Sequence, residues 1–118
     1  MEVDKETLKG HIEFIILSLL FLKDMYGYEL AKMVREISHA QFELKEGTLY
    51  LALKRIQKNE LIASYWGEDQ GQGARRKYYK ILPLGSEHFE RKKVEWIFVR
   101  NLIDLFVERG ERQNAKDL

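Results

Sequence analysis

Residues 64–82 read SYWGEDQGQGARRKYYKIL, and this stretch decides the fold. Two runs with β propensity, Ile62–Trp66 and Lys77–Leu82, flank a turn that contains charged and amide residues. The same turn holds three glycines, Gly67, Gly71 and Gly73. The pattern predicts a β-hairpin with a long, mobile tip.

Three cations, Arg75, Arg76 and Lys77, stand at the base of this hairpin, and the overall net charge of +1 conceals them. Residues 45–80 contain eight Lys or Arg against four Asp or Glu, a net charge of +4, whereas the remainder contains twelve against fifteen, a net charge of −3. A basic middle between acidic flanks favours a polyanionic partner, although a chance fluctuation in a charge-rich surface would give the same numbers.

The bulk composition indicates one domain, since the chain has 118 residues and no proline- or glycine-rich linker. It has no cysteine, which excludes disulfide scaffolds and thiolate chemistry and suits a reducing compartment. The longest apolar run, Phe14–Leu22, is nine residues interrupted by Ser18, too short to cross a membrane. The first ten residues, MEVDKETLKG, do not resemble a secretory signal, so we expect a cytoplasmic protein with no membrane partner.

Apolar spacing predicts three helices before the hairpin. The first, over residues 6–22, is apolar on more than one face and therefore needs cover from its own domain and from something else. The second covers roughly residues 28–38. The third, about 46–59, turns Leu49, Ala52, Leu53 and Ile56 to the core, and its opposite face is basic.

A last helix is predicted from Pro83 to about Glu108, because proline suits the first turn of a helix. Phe89, Trp96 and Ile103 follow each other at seven-residue intervals and trace a short seam that can pair with its own twin or with the first helix. Gly110 and the polar tail at 109–118 are expected to end the fold.

Catalysis is not expected. The three histidines, His11, His39 and His88, lie in three different segments, and no phosphate-binding glycine motif opens a helix. We therefore expect no catalytic residue, no metal site and no cofactor.

The order helix, helix, helix, hairpin, helix predicts a mainly α protein with a small β-hairpin, the winged helix-turn-helix arrangement plus a C-terminal dimerisation helix. The divisions are 1–82 for the DNA-binding domain, 83–108 for the dimerisation helix of the same compact unit, and 109–118 for the tail. In this arrangement the third helix enters the major groove of DNA and the wing holds the backbone.

Nine residues are predicted to contact DNA, mostly at phosphates: Thr48, Tyr50, Lys54, Arg55, Lys58, Arg75, Arg76, Lys77 and Tyr78. Two alternatives stay open. A winged-helix module can bind protein without DNA, although such modules tend to lose the basic residues that this chain retains. A winged helix can also bind RNA.

The chain resembles the PadR family of bacterial transcriptional regulators, particularly its short subfamily with a single C-terminal helix. YGYELAKMV resembles the opening of the family's second helix, EGTLYLALKRIQKNELI its recognition helix, and SYWGE with GARRKYYKIL its wing. The family usually has glycine where this chain has Glu60, so Asn59 is expected to take the left-handed helix cap instead.

The resemblance implies a dimeric, sequence-specific DNA-binding regulator, a repressor relieved by a small aromatic effector, that binds a roughly palindromic double-stranded operator. It implies a homodimer interface built by the first and last helices, for which we select Ile12, Ile16, Val99, Ile103 and Phe106. Similarity to the multidrug-sensing members implies a pocket for a planar aromatic effector around Glu13, Phe14, Phe89, Trp96 and Arg100. Arg100 favours an anionic effector there, because a desolvated guanidinium attracts a carboxylate.

Overall fold

The computed structural model describes residues 5–68 and 75–117, and it contains five helices and three short strands in those ranges. The helices are α1 (Lys5–Leu8), α2 (Ile12–Leu22), α3 (Gly27–Ile37), α4 (Glu46–Lys58) and α5 (Pro83–Asp117), with a 3₁₀ turn at Lys9–His11 between the first two. The strands are β1 (Met25–Tyr26), β2 (Ile62–Trp66) and β3 (Lys77–Ile81). This is the predicted mainly α, winged helix-turn-helix architecture with an additional C-terminal helix.

The predicted first helix is interrupted. The 3₁₀ turn at Lys9–His11 separates α1 from α2, and it contains Gly10, which is a poor helix former. The apolar residues of α2 that face the domain are fully buried, including Ile16 and Leu17. None of the helices within the described ranges is long and apolar enough to cross a membrane.

The sheet has the strand order β1-β3-β2, and both pairings are antiparallel. Its register places Tyr78 of β3 opposite Tyr26 on one side and opposite Tyr65 on the other. The hairpin strands agree with the prediction to within one residue, but β1 was not predicted because it is only two residues long. The predicted mobile tip at Gly71 and Gly73 lies outside the described residues.

The core lies between α2, α3, α4, the sheet and the start of α5, and contains no buried polar side chain among the described residues. Its fully buried members are Ile16, Leu17, Leu20, Met25, Leu30, Leu49, Leu53, Ile56 and Ile62. The buried residues predicted for α4 are therefore confirmed.

Two helices are followed by left-handed residues that are not glycine: α3 by His39 and Ala40, with φ 54° and 62°, and α4 by Glu60. At the end of α4, Glu60 has φ 61°, its N–H bonds the Gln57 carbonyl, and the Leu61 N–H bonds the Ile56 carbonyl. This is a Schellman cap with Glu60 in the position where glycine is usual. The expectation that Asn59 would be left-handed was wrong, since its φ is −83°.

Helix α5 is longer than predicted and continues through Gly110 to Asp117. A single glycine costs a helix only about 1 kcal/mol relative to alanine, and the residues after it include strong helix formers. The start of α5 packs on α2 through Phe89, whose ring lies 5.4 Å from Phe14 and 4.9 Å from Phe21. Beyond Trp96 the described side chains of α5 are exposed, so its distal half projects from the domain.

Candidate functional site

Helix α4 presents a basic outer face. While Leu49, Ala52, Leu53 and Ile56 anchor it in the core, the cations Lys54, Arg55 and Lys58 are all exposed. The last two turns thus carry three cations and no acidic residue before the cap. Such a one-sign face can neutralise phosphates along a nucleic-acid backbone.

Tyr50 lies at the N-terminal end of this face and is 45% exposed. Its hydroxyl rests against Gly27, the first residue of α3, so closely that a Cβ at that position would overlap it. Thr48, in the first turn of α4, is half-buried. The absence of a side chain at Gly27 therefore lets the Tyr50 ring lie across the start of α3.

The three cations at the base of the wing are also exposed. Arg75 and Arg76 precede β3, and Lys77 is its first residue. The guanidinium carbon of Arg76 lies 4.8 Å from the centre of the Tyr26 ring, and the Lys77 ammonium lies 6.0 Å from that of Tyr79. Both side chains are therefore seated over aromatic faces.

Four tyrosines form a continuous row from the start of α3 to the wing. The Tyr26 ring lies 6.3 Å from Tyr28 and 5.5 Å from Tyr78, and the Tyr78 ring lies 5.7 Å from Tyr65. Tyr78 was predicted as a DNA contact, and the structure places it in the middle of this row. Tyr26 and Tyr28 were not among the predicted site residues, although both belong to the quoted YGYELAKMV stretch.

A hydrogen bond fixes the far end of the row. The Tyr65 hydroxyl donates to Oδ2 of Asp24 at 2.6 Å, joining β2 to the turn after α2. This bond, with smaller contributions from burial and from the charges of Asp24 and Tyr78, raises the pKa of Tyr65 from 10.0 to about 12. Burial raises the pKa of Tyr79 on the opposite face, and Tyr50 adds to that shift. Asp24 was missed because a single aspartate in a turn carries no sequence signal for a partner 41 residues away.

A cleft of about 520 Å³ lies between α2, the end of α4 and α5, away from the wing. Among the residues predicted for an effector pocket, Glu13, Phe14 and Trp96 line it. Its other walls come from Gly10, His11, Leu17, Ile56, Asn59, Leu61, His88, Lys92, Glu95 and Val99. Most of these were not predicted as pocket residues, because they come from several elements whose packing against one another has no local sequence signal.

The two remaining predicted pocket residues lie beside the cleft. Phe89 is buried and stacks against Phe14. The Arg100 guanidinium lies 5.0 Å from the centre of the Trp96 ring, while the Phe14 and Trp96 rings are 6.5 Å apart. Trp96 is 40% exposed.

The predicted dimer residues divide into two groups. Ile12 and Ile16 are buried within the protomer, so their selection as interface residues was wrong: they belong to the face of α2 that its own domain covers. Val99, Ile103 and Phe106 are exposed, and Phe106 reaches 71%. These three side chains are free to contact another molecule.

Comparison with known proteins is consistent along the chain. A model of the "Transcriptional regulator PadR-like family" matches residues 16–91. An uncharacterised protein from Lysinibacillus sphaericus is 40% identical over 106 residues, which cover 90% of this chain and 96% of that protein.

Solved structures give the same result. A transcriptional regulator from Clostridium thermocellum superposes with a TM-score of 0.79 at 39% identity, covering 89% of this chain and 98% of its own. A PadR family transcription regulator from Clostridium difficile superposes with a TM-score of 0.74 at 47% identity, covering 82% and 98%. A PadR-like regulator from Bacillus cereus superposes at 0.76 and 31%, covering 86% and 96%. The chain therefore belongs to the PadR-like family of transcriptional regulators.

Proposed function

We propose that this regulator acts as a homodimer that represses transcription from a roughly palindromic operator and responds to a planar aromatic effector. The observation that carries the proposal is the exposed cation set on α4 and at the wing base, which flanks the tyrosine row. Cations on the third helix and on the wing can reach phosphates on both sides of the major groove that the helix occupies. Such a regulator would act on DNA in the cytoplasm.

The distal half of α5 supports the dimer. Eight exposed apolar side chains of α5 form two stripes, one of Trp96, Val99, Ile103 and Phe106 and one of Val94, Phe98, Leu102 and Leu105. At ~100° per residue these stripes together cover about 200° of the helix surface, far more than one partner helix can bury. Two surfaces of a second protomer, its α5 and its α2, are needed to remove them from water. Two recognition helices related by a two-fold axis then require half-sites about 10 bp apart.

The charged residues around the cleft support an anionic effector. Both of its carboxylates already have cationic neighbours, Glu13 with Arg55 at 4.0 Å and Glu95 with Lys92 at 3.6 Å. By contrast, no carboxylate in the described part of the chain forms an ion pair with Arg100. An aromatic carboxylate stacked on Trp96 would place its charged group next to the Arg100 guanidinium, and guanidinium groups bind carboxylates in bidentate fashion.

DNA binding is tested by mobility shift with the duplex upstream of the protein's own coding region, against single-stranded DNA and RNA of the same sequence. We expect retention on duplex alone. Arg76→Ala should weaken all duplexes equally and lower the salt slope by about 1. Arg109→Ala, which removes the same charge from distal α5, is the matched control and should change neither quantity. A preference for RNA, or no binding to any nucleic acid, would support the alternatives.

Effector binding is tested by tryptophan fluorescence in a Trp66→Phe variant, which leaves Trp96 as the only tryptophan. A planar aromatic carboxylate should quench the emission more strongly than its uncharged amide, and Arg100→Gln should remove that preference. Equal quenching by both compounds would refute the charge assignment. No quenching by either would refute the role of Trp96.

A further inference from the structure

Tyrosines from all three strands lie on one face of the small sheet. In the antiparallel register, Tyr78 is the direct neighbour of both Tyr26 and Tyr65. Side chains at paired positions of adjacent strands project from the same face. The ring separations of 5.5 Å and 5.7 Å show that they form one aromatic surface.

Tyr26 is the member of this surface that joins the wing to the helix-turn-helix. It is the last residue of β1 and immediately precedes α3. Its N–H donates to Oε1 of Glu29 at 3.3 Å, and Oε2 of the same carboxylate lies 3.5 Å from the Lys23 ammonium. The Tyr26 backbone is therefore held at both of its ends, by β3 pairing and by the first turn of α3.

Arg76, which directly precedes β3, lies against this fixed ring. Its guanidinium lies over the Tyr26 ring at 4.8 Å. Within residues 5–68 and 75–117, no carboxylate forms an ion pair with it, so Tyr26 is its principal described side-chain partner. An arginine that stacks on an aromatic face keeps its N–H edge free to donate to phosphate oxygens.

We propose that Tyr26 is a positioning residue for DNA binding, which holds the Arg76 guanidinium at a fixed place between the wing and the start of α3. The inference rests on the proposed DNA contact of Arg76 and adds a residue that acts through it. Without the ring, the long Arg76 side chain would have to be ordered anew on each binding event. An exposed cation–π contact corresponds to about a two- to fivefold change in affinity.

The test measures affinity of the full chain for a fluorescein-labelled duplex from the region upstream of its own coding sequence. The variants are Tyr26→Phe, Tyr26→Leu, Arg76→Ala and the double variant Tyr26→Leu/Arg76→Ala. We expect Tyr26→Phe to bind like the wild type, because phenylalanine keeps the ring. Tyr26→Leu should bind about two- to fivefold more weakly, and this loss should vanish in the Arg76→Ala background.

Tyr28→Leu is the matched control, because Tyr28 belongs to the same row and no arginine or lysine of the described residues lies over its ring. Any loss it causes should be equal in the two backgrounds. Arg76→Lys keeps the charge but lacks the planar stacking group, and we expect it to match Tyr26→Leu, which keeps the test usable if the leucine variant unfolds. A readout without DNA is the NMR chemical shift of the Arg76 Nε–Hε group. The Tyr26 ring current should displace this shift from its ordinary value, and Tyr26→Leu should return it to that value.

Equal losses from Tyr26→Leu in both backgrounds, or a loss in Tyr26→Phe as large as in Tyr26→Leu, would overturn the inference and make Tyr26 a direct DNA contact. No loss in any Tyr26 variant would overturn it as well. Failure of the proposed function is distinguishable from these outcomes, because the wild type would then not bind the duplex.

Discussion

The guanidinium of Arg55 lies 4.0 Å from the carboxylate of Glu13, and this ion pair joins the recognition helix to the wall of the cleft. Arg55 was predicted as a DNA contact, and Glu13 as a pocket residue. The two predicted sites therefore meet at this ion pair, and 57% of the Arg55 side chain is still exposed and able to contact DNA. A change at the cleft therefore has a short route to a cation of α4.

Glu13→Gln should strengthen DNA binding in the absence of any effector. Removal of the carboxylate releases Arg55 from its neighbour and leaves its charge to phosphate. Exposed pairs are worth at most about 1 kcal/mol, so we expect a gain of about two- to threefold. The measurement is fluorescence anisotropy with a labelled duplex at low salt.

Glu95→Gln is the control for this prediction. It removes the same charge from the same cleft, but its partner is Lys92 of α5 and not a residue of α4. If the two glutamine variants gain affinity equally, the effect is general electrostatics and the Glu13–Arg55 contact has no special role.

Glu60→Gly should stabilise the protein. A non-glycine residue in the left-handed region costs about 1–2 kcal/mol. Glycine lowers the free energy of unfolding by about 0.5–1 kcal/mol, because it has more conformational freedom in the unfolded chain. The expected net gain in the free energy of unfolding is thus about 0.5–1 kcal/mol, measured by urea denaturation at fixed protein concentration.

The adjacent Asn59→Gly is the matched control, because Asn59 has an ordinary φ of −83°. It should lose about 0.5–1 kcal/mol, since only the entropic cost of glycine applies. A loss in Glu60→Gly as large as in Asn59→Gly would mean that the left-handed conformation of Glu60 carries no strain.

Two glycines of α5 should respond to alanine with opposite signs. A Cβ at Gly85 would overlap the Leu61 carbonyl oxygen and lie 2.8 Å from Cγ1 of Ile81. Because one obstacle is backbone, the helix start has to move, at a cost of about 1–3 kcal/mol. A Cβ at Gly110 would meet no described atom within 4 Å apart from its own helix backbone and chain neighbours, so Gly110→Ala should gain up to about 1 kcal/mol of helix propensity.

Thermal unfolding and helical circular dichroism of the two variants check this prediction. Gly85→Ala should unfold at a lower temperature than the wild type, while Gly110→Ala should keep or raise both the midpoint and the helix signal. Equal behaviour of the two variants would show that the close approach of α5 to Leu61 is readily relieved.

The sequence predicted the elements whose signal is local. The β propensity of 62–66 and 77–82 predicted the two hairpin strands, and the spacing of Leu49, Ala52, Leu53 and Ile56 predicted α4. The two-residue β1 has no such signal, because it exists only through its pairing with Tyr78 and Tyr79. Gly110 likewise failed to end α5, since one glycine is a weak stop signal inside a strongly helical context.

The sequence predicted which residues belong to the candidate site but not which of them contact one another. The basic face of α4 and the wing cations follow from the sequence, whereas the seating of Arg76 on Tyr26 depends on strand register. Helix α2 shows the limit most clearly. It is apolar on more than one face, so its periodicity could not tell that Ile12 and Ile16 face its own core.

Ile103→Asp should dissociate the proposed dimer without unfolding the domain. Ile103 is 54% exposed in the protomer, so the charge meets no core residue there. In a dimer seam the same carboxylate would be buried at a cost of several kcal/mol, which sedimentation at micromolar concentration would record as a shift toward monomer.

Asn101→Asp is the matched control, because Asn101 is a polar residue that lies about 160° around α5 from Ile103, outside the stripe that contains it. It introduces the same charge and should leave the assembly unchanged. If Ile103→Asp sediments like Asn101→Asp and like the wild type, the interface does not include the stripe that contains Ile103.

The hydrogen bond from Tyr65 to Asp24 should make stability depend on pH in the alkaline range. The pKa of Tyr65 is about 12 in the folded protein and 10.0 without that environment, so the folded state holds the proton more tightly than the unfolded state. The resulting stabilisation is fully present below pH 10 and is lost as the pH rises to 12.

Tyr65→Phe should be less stable than the wild type at pH 8, and the difference in the free energy of unfolding should narrow between pH 10 and 12. The raised pKa of Tyr79 acts in the same direction in both proteins and cancels in the comparison. Asp24→Asn removes the charged acceptor and should reduce the same pH-dependent difference, measured by urea denaturation across the pH series. A constant gap between wild type and Tyr65→Phe from pH 8 to 12 would mean that the hydrogen bond does not shift the Tyr65 titration.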